Sequence, residues 1–149
     1  MSEFRELYQE VILDHNRNPR NFGVLEDANR FADGTNPLCG DKVKITLRVE
    51  DGKIAAVRFD GMGCAISTAS ASVMTETLLG KSEEDAQKLF ESFHDLITHG
   101  SAGEVDKSLG KLKVFGGVSE YPTRIKCAIL CWHTMKAALD GSQEPVTTE

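Results

Sequence analysis

The segment KVKITLRVEDGKIAAVRFDG, residues 42–61, leaves little freedom in how it can fold. Val43, Ile45, Leu47 and Val49 alternate with Lys42, Lys44, Thr46 and Arg48, the period of a strand with one buried face. Asp51-Gly52 is a hairpin turn signal, because glycine tolerates positive φ, and Ile54–Phe59 reads as the returning strand. The basic outer face of the first strand reads as a solvated face.

Helices and loops flank this hairpin. Phe4, Leu7, Tyr8 and Val11 fall at i, i+3, i+4 and i+7, an amphipathic first helix that Pro19 and Gly23 forbid to continue. Residues 24–38 are loop-like and end in Asn-Pro, with room for one short strand that the pattern does not place. After Gly61 and Gly63 comes CAISTASASVMTETLLG, whose small residues let a helix approach its neighbours closely. Ser82 caps another helix, with Asp85 three residues on and Ala86, Leu89, Phe90, Phe93 and Ile97 as its buried stripe. Residues 98–121 are Gly-rich, with Leu109, Leu112, Val114 and Phe115 as apolar anchors. A last helix follows Pro122 and Thr123 and stops before Asp140-Gly141. Residues 1–141 therefore read as a single domain, and 142–149, SQEPVTTE, as a frayed tail.

Composition excludes several classes of function. With 17 Lys and Arg against 23 Asp and Glu, the chain carries a net charge of -6, the wrong sign for tracking phosphates, so nucleic acid is not an expected partner. The longest unbroken apolar run is CAILCW, far short of a membrane span. The start, MSEFRELYQEV, is acidic and amphipathic, unlike a signal peptide, and cytoplasm is the expected location.

Four cysteines, Cys39, Cys64, Cys127 and Cys131, are too few for a disulfide scaffold. Cys39 precedes the first hairpin strand and Cys64 follows the second, so antiparallel pairing brings Cys39, Asp41 and Cys64 to one end of the hairpin. Residues i and i+2 of an extended backbone point the same way, so Cys39 and Asp41 can share a target, and Gly40 between them permits a bend. Cys64 also opens the small-residue helix, and Cys127 lies in the early turns of the last helix beside Arg124 and Lys126. Helix N-termini and nearby cations favour thiolate over thiol. Brought together, three thiolates and one carboxylate suit a tetrahedral zinc site. The pattern leaves two readings open, core thiols or shared metal ligands, because the candidates are widely dispersed. Cys131, inside AILCW, reads as core. His15, His94, His99 and His133 read as surface or capping residues, and a Cys–His hydrolase dyad has little support.

Taken in order, LYQEVILDHNRNPRNFG, CGDKVKI, FDGMGCAISTASASVM and YPTRIKCAILCW resemble the U-type iron–sulfur cluster assembly proteins across essentially the whole chain. The resemblance implies an α/β (α+β) fold of the NifU/IscU-like kind, a small three-stranded antiparallel sheet with helices packed on one side. It carries over Cys39, Asp41, Cys64 and Cys127 as the functional set, with Cys39 as sulfur acceptor. Scaffold members place a histidine before the last cysteine, and here that residue is Lys126. With the long Gly-containing stretch before Tyr121, this makes the chain similar to the SufU-type branch. What that branch implies is a zinc-bound sulfur carrier, taking persulfide sulfur from a pyridoxal-phosphate (PLP-dependent) cysteine desulfurase and passing it to downstream iron–sulfur assembly machinery. Such a protein is sulfurtransferase-like, not a free-standing enzyme. One alternative is a scaffold that builds a transient Fe–S cluster on the same residues. Another is a binding module with purely structural zinc. Gly40, Arg124 and Lys126 are expected in support, the two cations tuning the site or meeting the partner.

Overall fold

The structure, a computed structural model, describes residues 2–37, 40–99, 107–141 and 145–147, and for 2–8, 107, 108 and 120 the backbone alone. Its helices are α1 (Ser2–Arg17), α2 (Ala65–Leu78), α3 (Glu83–His99) and α4 (Pro122–Leu139), and a 3-10 segment, Lys107–Glu120, kinks at Gly110. The strands are β1 (Arg30–Asn36), β2 (Asp41–Glu50), β3 (Lys53–Met62) and β4 (Val146–Thr147). None of the described helices is long and apolar enough to cross a membrane.

β2 and β3 form the hairpin that the alternation predicts, with Asp51 at φ 53° and Gly52 at φ 76°. Two consecutive positive φ values give the turn whose twist matches the flanking strands. The sheet order is β3-β2-β1-β4, four strands and not the expected three. The fourth is Val146–Thr147, within the segment read as a frayed tail, and it runs parallel to β1 at Gly34 and Thr35. Two residues are too few to show a period, so no sequence pattern announces them. The open backbone edge of β1 supplies the partner groups instead.

β1 is the strand that the loop-like segment conceals. Its sequence RFADGTN is poor in strand formers, yet it pairs with β2 from Arg30↔Leu47 to Asn36↔Asp41. Gly34 explains the composition. A Cβ there would overlap Thr134 Oγ1 and lie 3.1 Å from Leu130 Cδ1, so α4 crosses the sheet where β1 has no side chain. A glycine inside a strand marks such a close approach.

Helices cover one face of the sheet. Ile45, Leu47, Val57 and Phe59 point into the core, where Trp132 of α4 stacks on Phe93 of α3 at 4.8 Å and Phe115 meets the same ring edge-on. α3 starts as its sequence predicts, with Asp85 N–H donating to Ser82 Oγ at 3.1 Å. The small residues of α2 serve tight packing. Ser67, Ser70, Ser72 and Thr75 are buried, and Ser70 Oγ donates to the Ala128 carbonyl of α4 at 2.6 Å.

His15 departs from the surface role expected of it. Its ring is fully buried, with Nδ1 2.6 Å from Ser72 Oγ, and it ties α1 to α2. Arg20 N–H also donates to that oxygen, at 2.8 Å, so Ser72 Oγ joins α1, α2 and the segment after α1. Burial pushes the pKa of His15 down, Arg20 and Lys111 add to the effect, and Glu76 and Asp14 oppose it.

Candidate metal centre

The site forms where β2 begins, β3 ends and α2 starts. Asn36 and Asp41 face each other across the turn that joins β1 to β2, closed by a 2.8 Å hydrogen bond from Gly40 N–H to the Asn36 carbonyl. Gly40 takes φ 74°, a conformation that suits glycine. Leu38 and Cys39 lie outside the described residues.

From β3 the chain passes through Gly61-Met62-Gly63 to Cys64, and the spacing of the glycines has a steric cause. A Cβ at Gly61 would run into the Lys42 carbonyl of the neighbouring strand. One at Gly63 would lie 2.9 Å from both Asp41 Oδ1 and Ser67 Oγ. The two glycines let the strand end tuck beneath Asp41. Cys64 N–H then donates to Asp41 Oδ1 at 2.9 Å, and Cys64 caps α2 by accepting from Ser67 N–H at 3.4 Å through its sulfur. The first-turn N–H groups of a helix favour negative charge on their acceptors.

Cys127 arrives from the opposite side on α4, with its side chain buried. The ligand atoms of Asp41, Cys64 and Cys127 all lie within 4.8 Å of one another. Asp41 and Cys127 are buried while Cys64 is exposed, so the cluster opens to solvent on one side.

The donor chemistry fits a metal ion of borderline softness. Two sulfurs and one carboxylate oxygen are a zinc-type set, and a tetrahedral ion needs its ligand atoms about 3.5–3.8 Å apart. The upper bound of 4.8 Å on their separations leaves the three about an ångström or less from that spacing.

The other candidates occupy different places. Cys131 stays out of the cluster, with Sγ 3.5 Å from Ser70 Oγ and 3.8 Å from the Ala128 carbonyl, and burial pushes its thiol up to about 12. Arg124 lies exposed near the start of α4, its guanidinium 5.0 Å from the centre of the Tyr121 ring, and Lys126 is half-buried beside Cys127. His133 packs edge-on to Phe90 on the far side of α4's early turns, where burial, His94 and Lys136 lower its pKa.

The residue that sequence reasoning missed is Asn36. It is fully buried, and its Nδ2 lies 3.4 Å from Asp41 Oδ2 and 3.7 Å from Cys127 Sγ. The available signal was Asn-Pro followed by Gly40, a turn that sets position 36 opposite position 41 once β1 is recognised as a strand.

The profile of the NifU-like N terminal domain matches residues 7–138. The chain belongs to this family. It is 41% identical over 130 residues to the zinc-dependent sulfurtransferase SufU of Bacillus subtilis, covering 87% of each chain. Over 145 residues it is 39% identical to the iron–sulfur cluster assembly scaffold protein IscU of Thermotoga maritima, covering 95% of this chain and 99% of that one. The IscU scaffold protein of Streptococcus pyogenes is 37% identical over 142 residues, covering 95% and 88%. Among solved structures, FiSufU of Fervidobacterium islandicum superposes with a TM-score of 0.82 at 34% identity, covering 90% of this chain and 97% of that one. The NifU-like fold read from the sequence motifs is thus the fold observed, widened by one strand.

Proposed function

We propose that this member of the NifU-like family is a zinc-bound sulfur acceptor in iron–sulfur cluster assembly. The observation that carries the reading is the convergence of Asp41, Cys64 and Cys127 at an opening of the surface, next in the chain to Cys39. The 41% identity to a protein named zinc-dependent sulfurtransferase supports it. Cys39, Asp41, Cys64 and Cys127 would hold the ion. Zinc, when bound, keeps thiolates deprotonated at neutral pH and has no redox chemistry with which to consume them.

The protein's own residues divide the work. Asp41, held by the Cys64 N–H, is a hard oxygen donor among soft sulfurs, which leaves the site exchangeable. Cys39 is the chain neighbour of Gly40, whose φ of 74° suits glycine. The donor is a PLP-dependent cysteine desulfurase carrying sulfur as a persulfide. The Cys39 thiolate attacks the outer sulfur of that persulfide. The partner's S–S bond breaks, its electron pair leaves with the partner cysteine as a thiolate, and a new S–S bond forms on Cys39. The outer sulfur keeps its proton and no external oxidant is consumed. Cys39 then hands the sulfur to the downstream assembly machinery. Arg124, on the exposed start of α4, and Lys126 supply positive charge for the partner's surface.

The relatives named IscU favour a second reading, in which iron and sulfide are cargo built into a cluster on the same four residues. One experiment separates the two. Incubation with a cysteine desulfurase and cysteine, without iron, followed by intact-mass analysis under native and denaturing conditions, should show one added sulfur with zinc retained. Cys39→Ser should abolish the gain. No added sulfur, with a coloured cluster forming once iron is supplied, gives the scaffold reading.

A further inference from the structure

We propose that Asn36 is a positioning residue of the metal centre, an amide that orients Asp41 and Cys127 together and donates an N–H···S hydrogen bond to the sulfur. The inference rests on the metal-binding reading above. Asn36 lies on the inner face of β1 with Ala32 and Gly34, fully buried and in register with Asp41. Its Nδ2 reaches Asp41 Oδ2 at 3.4 Å and Cys127 Sγ at 3.7 Å. The reverse orientation of the amide would turn Oδ1, an acceptor, toward a carboxylate oxygen and a thiolate sulfur, so the electrostatics select the donor edge.

Asn36 thereby connects two parts of the site: its side chain joins a ligand on β2 to a ligand on α4, and its carbonyl also accepts Gly40 N–H at 2.8 Å just ahead of β2. Asp41 is gripped at both oxygens, Oδ2 by Asn36 and Oδ1 by Cys64 N–H. Asn36 Oδ1, by contrast, is buried without a hydrogen-bond partner among the described residues. A buried amide satisfied on one edge only is a poor choice for stability alone, and such a group calls for an explanation. Holding and tuning metal ligands is that explanation here. An N–H directed at a thiolate withdraws electron density from sulfur and fixes its direction, as outer hydrogen bonds do for metal ligands generally.

Cobalt(II) titration tests this, because the sulfur-to-cobalt charge-transfer band reports the sulfur directly. Wild type, Asn36→Ala and Asn36→Leu would be titrated with cobalt in competition with a chromophoric chelator, with circular dichroism as the check on folding. Leucine keeps the shape of asparagine without the donor. Both variants should still bind one cobalt, about 10–100-fold more weakly, with the charge-transfer band moved to lower energy. A folded variant with wild-type affinity and an unmoved band overturns the proposal. If neither variant folds, Asn36 belongs to the fold and not to the site, and the proposal also falls. A wild-type protein without any charge-transfer band would instead overturn the metal reading itself, and this inference with it.

Discussion

Cys127 and Cys131 stand one turn apart on α4, both buried, and nothing in their own chemistry tells them apart. What lies across from each one does. Cys131 faces the serine row of α2, where Ser70 meets its sulfur, the Ala128 carbonyl of its own helix lies 3.8 Å away, and burial raises its thiol to about 12. Cys127 faces the end of a hairpin, where Asp41, Cys64 and Asn36 converge and one side opens to solvent. Burial alone therefore does not distinguish the two thiols. The neighbours across the helix do, and β-strand register and two glycines place them.

The largest way to break this contrast is to remove each thiol in turn. Cys127→Ala should weaken zinc binding by more than about 100-fold, beyond the usual effect of losing an outer partner. Cys131→Ala should leave zinc affinity unchanged. Chelator competition on both variants reads the difference directly.

A second test attacks the packing that brings α4 over the sheet. Gly34→Ala should cost about 1–3 kcal/mol in denaturant unfolding, because the added methyl overlaps the Thr134 hydroxyl. Adding Thr134→Ala should recover part of that loss, a coupling that two independent sites would not show. A smaller effect is expected from Ser70→Ala, about 1 kcal/mol for the lost bond to the Ala128 carbonyl, with no change in zinc affinity.

The mildest prediction concerns pH and the seam between α1 and α2. The folded state lowers the pKa of His15, and of His133, below the ordinary histidine value near 6.5, so the unfolded chain binds the proton more readily. Stability should then hold above that value and decline as pH falls below it, until the folded state also takes up the proton. Denaturant unfolding between pH 7.5 and 5.5, on the order of the ordinary histidine titration range, would show it. His15→Gln should flatten that slope, leaving the part due to His133.

How much of this was legible in the sequence follows the same contrast between local and distant causes. The β2–β3 hairpin is written in a strict alternation closed by Asp51-Gly52, the starts of α2 and α3 in their small and capping residues and that of α4 in Pro122, so these elements could be read directly. Asp41 and Cys64 could be brought together because both flank that hairpin. β1 could not, because Gly34 makes room for α4 and Asn36 faces the site, both at the expense of strand propensity. Without β1 there was no register to set Asn36 opposite Asp41. β4 is too short to carry a pattern. His15 looked like a residue at a helix end, because its partner, Ser72, is remote in sequence and becomes a neighbour only when α2 docks. Cys39, which the motif resemblance names as the acceptor, lies outside the described residues.

The measurement that tests the central claim most directly is zinc K-edge X-ray absorption on zinc-loaded wild type, Cys127→Ala and Cys131→Ala. The account predicts a sulfur-rich shell at about 2.3 Å with one oxygen, retained in full by Cys131→Ala and short of one sulfur in Cys127→Ala. A shell that loses sulfur in Cys131→Ala while staying intact in Cys127→Ala would contradict it.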